Sequence, residues 1–269
     1  MVKLCMVAIF KNEALNIKEW LCYHKMLGVE KFYLYDDHST DDYQKVVSNL
    51  EFEEEIQIFK ISSLTNAHIE NRQNFAYTHY IKNFRHLSEW TAFCDLDEFV
   101  FLREEESLIK FLEPFEKNKN VGGVGIFWRC FGSSGHINRP AGLVLENYLY
   151  RAMDSFGPNK HIKCICKSRY LIGYSSPHYF NTEMPIYDED FNIIISSNGG
   201  VMPKTNSCSQ IRINHYITKS LQDFENKLQR GRATVDYKRY KDFFLDYDQN
   251  NIYDDSALKI VQKIKNKFY

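Results

Sequence analysis

Three short apolar runs in the first hundred residues each stop abruptly at polar side chains. Leu4 to Phe10 gives way to Lys11-Asn12-Glu13, Phe32 to Tyr35 to Asp36-Asp37-His38-Ser39, and Trp90 to Cys94 to Asp95-Leu96-Asp97-Glu98. Short continuous apolar runs suit strands buried on both faces. Helix-like stretches lie between them. From Leu15 to Leu27, Ile17, Trp20, Leu21, His24 and Leu27 fall near helical spacing, Asn12 is placed to cap the element, and Gly28 stands where a terminating glycine belongs. A short helix is expected around Tyr43 to Leu50, a strand from Ile56 to Ile61, helices from Asn71 to Asn83 and from Leu108 to Lys117, and a strand from Val121 to Trp128. Alternating strands and helices predict an α/β fold, a mostly parallel sheet with helices on both faces. Ligands in such sheets bind at the carboxyl ends of the strands. The three polar clusters are therefore expected to converge.

The second half is less regular. Phe131 to His136 (FGSSGH) is a loop of glycine and serine, Ser175 to Pro203 carries three prolines, and the chain turns helical and basic from Lys219. With 269 residues the chain suits one domain or a compact pair. A formal net charge of −1 gives no global field for nucleic acid, so no nucleic-acid partner is expected. Seven cysteines include only one close pair, Cys164 and Cys166, and no C-x-x-C, which argues against structural zinc and for a reduced compartment. An acid at Glu13 leaves no room for a signal-peptide core, and no apolar run is long enough to span a bilayer. A cytoplasmic protein is the expectation. The 18 tyrosines and 20 phenylalanines are core filler or the lining of a sugar site, since the apolar faces of hexoses stack on aromatic rings.

The strongest local signal is Asp95-Leu96-Asp97. Two carboxylates two residues apart at a strand end can engage one divalent cation and the phosphates bound to it. Mn²⁺ and Mg²⁺ prefer oxygen ligands and leave positions for substrate oxygens, and such an ion makes a diphosphate a better leaving group. The plain alternative is a solvated acidic turn, because D-x-D is common by chance. Asp36-Asp37-His38-Ser39-Thr40 can offer a carboxylate to uracil N3–H or to a ribose hydroxyl, or else form an Asx turn in which Ser39 or Thr40 caps the next helix. Arg72 and Gln73 open a helix, where an arginine suits phosphate; a surface arginine is the alternative. In Asn214 to Arg232, His215 can act as a neutral metal ligand, and Lys219, Lys227, Arg230 and Arg232 can close over a diphosphate. A structural histidine and a solvated basic helix face are the bland readings.

Five stretches resemble family-92 glycosyltransferases and the neighbouring family-2-like bacterial enzymes: FKNEALNIKEWLCYHKMLGVEKFYLYDDHSTDD, NRQNFAYTHY, WTAFCDLDEFVFL, FGSSGH and NHYITKSLQDFENKLQRGR. They run from Phe10 to Arg232. The resemblance implies a GT-A fold, a UDP-sugar donor with galactose favoured, Mn²⁺ or Mg²⁺, and inversion at the anomeric carbon. By position it makes Asp95 and Asp97 the D-x-D pair, puts Lys11, Asn12, Glu13, Asp36 and Arg72 on the nucleotide side, and makes His215 the histidine that completes the metal or phosphate site. The expected domain is 1–232, a nucleotide-binding half to about 105 and an acceptor-side half from about 106, with a helical extension over 233–269. Animal members carry an N-terminal membrane anchor that is not seen here, so acceptor and compartment do not transfer. A bacterial enzyme of surface-polysaccharide or lipooligosaccharide assembly, acting on a glycan or lipid-linked glycan, is the expectation.

One-step inversion needs a base for the acceptor proton. Glu98 and His136 lead the candidates, with Asp190, Glu183 and Asp188 behind them. Two rival functions remain: a phosphatase of the haloacid-dehalogenase type, with Asp95 as nucleophile, or a non-catalytic sugar-binding homologue. In the phosphatase reading a later acidic pair should end a strand, whereas Asp254-Asp255 reads as a cap on the last helix. That helix carries Leu258, Val261, Ile264 and Phe268 near one face, with Lys259, Lys263, Lys265 and Lys267 around the others. Docking on the domain is the favoured reading, and peripheral contact with the inner face of the cytoplasmic membrane the second.

Overall fold

The computed structural model describes residues 1–65, 68–105, 107–195, 199–202, 208–231 and 241–269. Arg232 and Pro203, both used in the sequence reading, lie outside the described residues. The strands are β1 (Val2–Phe10), β2 (Lys31–Asp36), β3 (Ile56–Lys60), β4 (Ser88–Phe93), β5 (Glu98–Leu102), β6 (Gly123–Cys130), β7 (Tyr150–Arg151), β8 (Ile162–Lys167), β9 (Leu171–Tyr174), β10 (Phe180–Thr182), β11 (Ile186–Tyr187), β12 (Ile211–His215) and β13 (Ile252–Tyr253). The α-helices are α1 (Ile17–Met26), α2 (Tyr43–Val47), α3 (Ile61–Leu64), α4 (Arg72–Asn83), α5 (Leu108–Lys117), α6 (Val144–Asn147), α7 (Leu221–Arg230), α8 (Lys241–Tyr247) and α9 (Leu258–Phe268).

One sheet runs β3-β2-β1-β4-β8-β6-β12-β5, with β11 beside β6. The β3-β2-β1-β4 half is all parallel; β8 is antiparallel to both β4 and β6, and β12 lies parallel to β6 and antiparallel to β5. The reason β1 reads as an unbroken apolar run is visible in its alternation. Leu4, Met6, Ala8 and Phe10 join the core beneath α1 and α5, while Cys5, Val7 and Ile9 join the core beneath α4. A strand covered on both faces has no polar side to show. This is the expected α/β architecture, a mostly parallel sheet with helices on both faces.

Most expected elements are present with shifted ends. Gly28 closes α1 with a φ of +96°, as a left-handed C-terminal position requires. Asn71 caps α4, its side chain accepting from the Asn74 amide at 2.9 Å. Asn12 does not cap α1. It takes a left-handed φ of 52° and stitches two strand-end loops together, its Oδ1 accepting from the Thr40 amide at 2.7 Å and its amide donating to Ser39 Oγ at 2.9 Å. Asn tolerates this conformation better than other L-residues.

The two expected halves share the sheet, since β6, β8 and β12 come from the second and β1 to β5 from the first. The C-terminal stretch folds onto the same body. Strand β13 pairs with β7, and α9 lies against α1 and α6. Val261 and Ile264 are buried, and Phe268 meets Phe52 with ring centroids 5.6 Å apart. The apolar stripe of α9 is thus covered by the domain. Asp254 does not cap this helix: it pairs with Arg151 at 2.8 Å and Arg212 at 2.9 Å. No helix among the described residues is long and apolar enough to cross a membrane.

Candidate active site

Parallel pairing brings the carboxyl ends of β1 and β4 to one edge, where a cleft of about 320 Å³ opens. Asp95, Leu96 and Asp97 line it from the turn after β4, Lys11 and Glu13 from the end of β1, Asp37 from the end of β2 and Gln73 from α4. His215 enters from β12, and Lys227 and Arg230 from α7. The three clusters do converge.

The acidic turn is held from below. Trp20 Nε1 donates to the carbonyl oxygens of both Asp95 and Glu98, each at 3.0 Å. Asp95 Oδ2 accepts from Lys163 Nζ at 2.8 Å, and its Oδ1 from Gln73 Nε2 at 3.2 Å and Tyr77 OH at 3.4 Å. Asp97 faces His215, with Nε2 3.7 Å from Oδ1, and its Oδ2 meets the Lys227 ammonium. Burial pushes the Asp97 carboxyl up, but Lys227 and then His215 outweigh it, so Asp97 is held well below the usual carboxylate range. Burial lowers His215 against the pull of Asp97, keeping the ring neutral. A carboxylate and a neutral imidazole facing each other form an O,N donor pair that fits a divalent ion. Among the described residues no set of three or more His, Cys, Asp or Glu is arranged to hold a metal ion.

The second strand end holds a correction. Asp36 points away from the cleft: Oδ1 accepts from the Ser39 amide at 2.8 Å and Oδ2 from Tyr43 OH at 2.9 Å, a local turn close to the plain alternative, although α2 starts after Asp42 and neither Ser39 nor Thr40 caps it. Asp37, one residue on, lines the cleft and pairs with Arg72 Nε at 2.7 Å. Successive strand residues face opposite sides, and the sequence alone does not say which of two adjacent aspartates faces inward.

The basic segment reaches the cleft in part. Arg230 pairs with Glu13 and donates to the Lys11 carbonyl at 3.0 Å. Burial raises Glu13, Arg230 and then Lys219 lower it, and the net is a carboxyl below its ordinary value. Lys219, with a φ of 52°, is buried beside an adjoining hollow that it lines with Asn12, and it does not line the main cleft. Of the leading candidates for the base, neither faces the cleft. Glu98 is wholly buried beneath the turn, its Oε2 accepting from the Asp95 amide at 2.8 Å and lying 3.3 Å from Lys163 Nζ. Burial raises its proton affinity, with Lys163 opposing. His136 lies outside the cleft, Nε2 at 3.2 Å from the Asn147 carbonyl oxygen. Asp188 is held in a local turn by the Asp190 and Asn192 amides, and neither it nor Asp190 or Glu183 lines the cleft.

Sequence reasoning missed Lys163, and also a wall of Trp128, His161 and His178. The only sign of Lys163 was a lysine inside the apolar strand IKCICK. The three wall residues are scattered in sequence and carry no spacing signal.

An acidic strand end, a neutral histidine and a basic helix around one α/β cleft define a site suited to a phosphorylated ligand. Residues 1–251 match the family described as Glycosyltransferase family 92, and the chain belongs to that family. It is 27% identical to a family-92 protein of Ricinus communis over 86% of this chain and 38% of that one. A family-92 protein of Oryza sativa subsp. japonica is 23% identical over 86% of this chain and 36% of its own length. The chain thus spans little more than a third of the relatives it matches. Among solved structures, S. aureus TarS 1-349 is similar at a TM-score of 0.40 and 13% identity, over 63% of this chain and 48% of that one. Glucosyl-3-phosphoglycerate synthase from Mycobacterium tuberculosis, solved with Mn²⁺, UDP and glucosyl-3-phosphoglycerate, is similar at a TM-score of 0.38 and 13% identity, over 63% of this chain and 58% of that one. The family match lends the phosphatase alternative no support. The later acidic pair that such an enzyme needs is also elsewhere, since Asp254 pairs with two arginines away from the cleft.

Proposed function

We propose that this chain transfers a hexosyl group, galactose favoured, from a UDP-sugar to a glycan hydroxyl, with Mn²⁺ or Mg²⁺ and with inversion at the anomeric carbon. One observation carries the reading: Asp95, Asp97, His215, Lys227 and Arg230, drawn from three separate parts of the chain, line one cleft at the carboxyl edge of the sheet. Asp97 and His215 would hold the ion. A bound ion neutralises the diphosphate and aids its departure. Asp95, fixed by Lys163, Gln73 and Tyr77, keeps the turn in shape beside it. Arg72 and Asp37 form an ion pair at the nucleotide edge, with Asp37 taking the base- or ribose-reading part first expected of Asp36. Lys227 and Arg230 supply positive charge next to the leaving group.

Calorimetric titration with UDP, GDP, ADP and CMP, together with nucleotide-sugar hydrolysis with and without Mn²⁺, tests this. UDP should bind at least tenfold more tightly than the others, and Asp97→Asn should lower metal-stimulated hydrolysis by about 100-fold or more while the protein stays folded. Equal affinity for the four nucleotides, or full hydrolysis by Asp97→Asn in chelator, would overturn the proposal. UDP binding with no turnover of any sugar would favour the non-catalytic homologue.

A further inference from the structure

The carboxylates that line the cleft are already committed. Among the described residues, Glu13 pairs with Arg230, Asp37 with Arg72, Asp95 with Lys163 and Asp97 with Lys227. Each would have to break an ion pair to take a proton. The cleft also has a wall of uncharged bases. His161 and His178 lie against the Trp128 indole with centroids 4.7 and 4.9 Å away, and 4.8 Å from each other.

Their hydrogen bonds fix where the proton sits. His161 Nδ1 is 2.9 Å from the Pro158 carbonyl oxygen, and His178 Nδ1 is 3.2 Å from that of Ile162. A carbonyl oxygen only accepts, so Nδ1 carries the hydrogen in both neutral rings and Nε2 keeps its lone pair. Among the described residues neither Nε2 has a hydrogen-bond partner, and both residues line the cleft. This is the arrangement of a base oriented by a third group.

The two rings differ in what surrounds them. His178 is pushed down to about 2, by burial first and then by Lys163, His161 and His215, which is too low to hold a proton near neutral pH. His161 is lowered by burial, with the Pro158 carbonyl opposing and Lys163 adding to the fall. His161 is also the better anchored. Its ring stacks on Trp128 at 18°, its amide donates to the Pro158 carbonyl at 3.1 Å, and its own carbonyl accepts from the Trp128 amide at 3.0 Å. The titratable and charged groups that bear on it are His178 and Lys163.

We infer that His161 is the proton acceptor of the transfer step. This rests on the proposed glycosyl transfer in its inverting form. Nε2 takes the acceptor hydroxyl hydrogen as that oxygen bonds to the anomeric carbon. The bond from the anomeric carbon to the diphosphate oxygen breaks, and its electron pair leaves with the nucleoside diphosphate. The imidazolium then gives its proton to water.

The test uses His161→Gln and His161→Phe, the latter keeping a ring on Trp128, with His178→Gln beside them. Transfer, UDP affinity and thermal melts are measured for each, and the pH profile of kcat/KM for wild type and variants. Loss of a general base costs about 10²–10⁴-fold. Both His161 variants should lose transfer by that factor, bind UDP within twofold of wild type, and lack the acid limb that wild type shows below the ordinary histidine value of about 6.5. His178→Gln should keep that limb. Transfer within fivefold of wild type in a folded His161 variant, a surviving acid limb in its residual rate, or a wild-type profile flat through the acid range would each overturn the assignment. If wild type neither binds UDP nor releases it from any UDP-sugar, the glycosyl-transfer reading itself falls and takes this assignment with it.

Discussion

Lys163 is the side chain on which the acidic turn depends, and removing it should show as a large, pH-dependent loss of stability. Its ammonium is almost fully buried between Asp95 at 2.8 Å and Glu98 at 3.3 Å, and Glu98 has no exposure at all. Lys163→Met keeps much of the aliphatic stem and deletes the charge. Two carboxyl groups then face each other without the cation between them. Breaking a buried ion pair in this way costs about 3–5 kcal/mol, because a charge is left uncompensated in a poorly solvated site. For a domain of this size, that lowers the melting temperature by roughly 6–20 °C. The remedy is equally specific. Burial already raises Glu98 to about 8, so its charge is stranded only at the alkaline end; adding Glu98→Gln removes it, and the double variant should recover a good part of the loss at pH 8. The deficit should also depend on pH in one direction. Without Lys163, Glu98 holds its proton still more tightly in the folded state than in the unfolded chain. A carboxyl of that kind costs stability as pH rises and returns it as pH falls toward the unfolded value. Urea unfolding of wild type, Lys163→Met and Lys163→Met/Glu98→Gln at pH 5 and pH 8 measures all three quantities. A loss at pH 8 under about 1 kcal/mol, a double variant no more stable than the single one at pH 8, or a deficit that grows toward pH 5 would refute the reasoning.

Asp36→Ala should destabilise by about 1–3 kcal/mol through its two lost buried partners while UDP affinity holds; Asp37→Ala should lower UDP affinity about tenfold, or 1.4 kcal/mol, with the smaller effect on unfolding, and chemical denaturation with calorimetry separates the two. His24 is wholly buried and is pushed down to about 3 by burial. The unfolded chain therefore takes up a proton near 6.5 that the folded state refuses, and stability falls between about pH 6.5 and pH 3 by up to about 1.4 kcal/mol per unit. His24→Gln should flatten that slope in urea titrations between pH 4 and pH 8, and an unchanged slope would count against the burial argument.

The parts of the fold that could be read in advance share one property: their partners are local or their faces are both buried. β1 and β4 announce themselves because both faces are covered, and α1 because Gly28 ends it. The parts that could not be read depend on distant partners. The strand IKCICK sets two lysines on one parity, as a strand turned to water would, yet both lysines are buried. Lys163 meets Asp95 and Glu98, and Lys167 donates to the carbonyls of Glu116 and Asn118 at 3.2 and 2.7 Å. Nothing in residues 162–167 reveals those partners. Asp36 and Asp37 failed for another reason, since a strand end shows both parities and only the sheet decides which side is the cleft. The acidic turn was legible as a motif, but adjacency in sequence did not show that Glu98 lies buried underneath the Asp95–Asp97 pair rather than beside it. His161 stands at the end of a polar turn, and only the folded arrangement sets it against Trp128.

The order in which the sheet is filled has a consequence for the growing chain. β5 follows the acidic turn directly, yet its one sheet neighbour among the described residues is β12, made more than a hundred residues later. The same late stretch ties down the turn itself, for the Tyr216 amide donates to the Asp97 carbonyl at 2.8 Å. A nascent chain that has emerged only as far as β8 has its first four strands but no template for β5, and its acidic turn is tethered on one side only. Domains are made from the N-terminus at a few residues per second, so an incomplete chain spends seconds in that state. The cleft edge is completed by β12, the last strand of its sheet to be made. A nonsense or frameshift product that stops short of residue 211 can therefore fold much of its sheet without acquiring the geometry needed to engage a ligand.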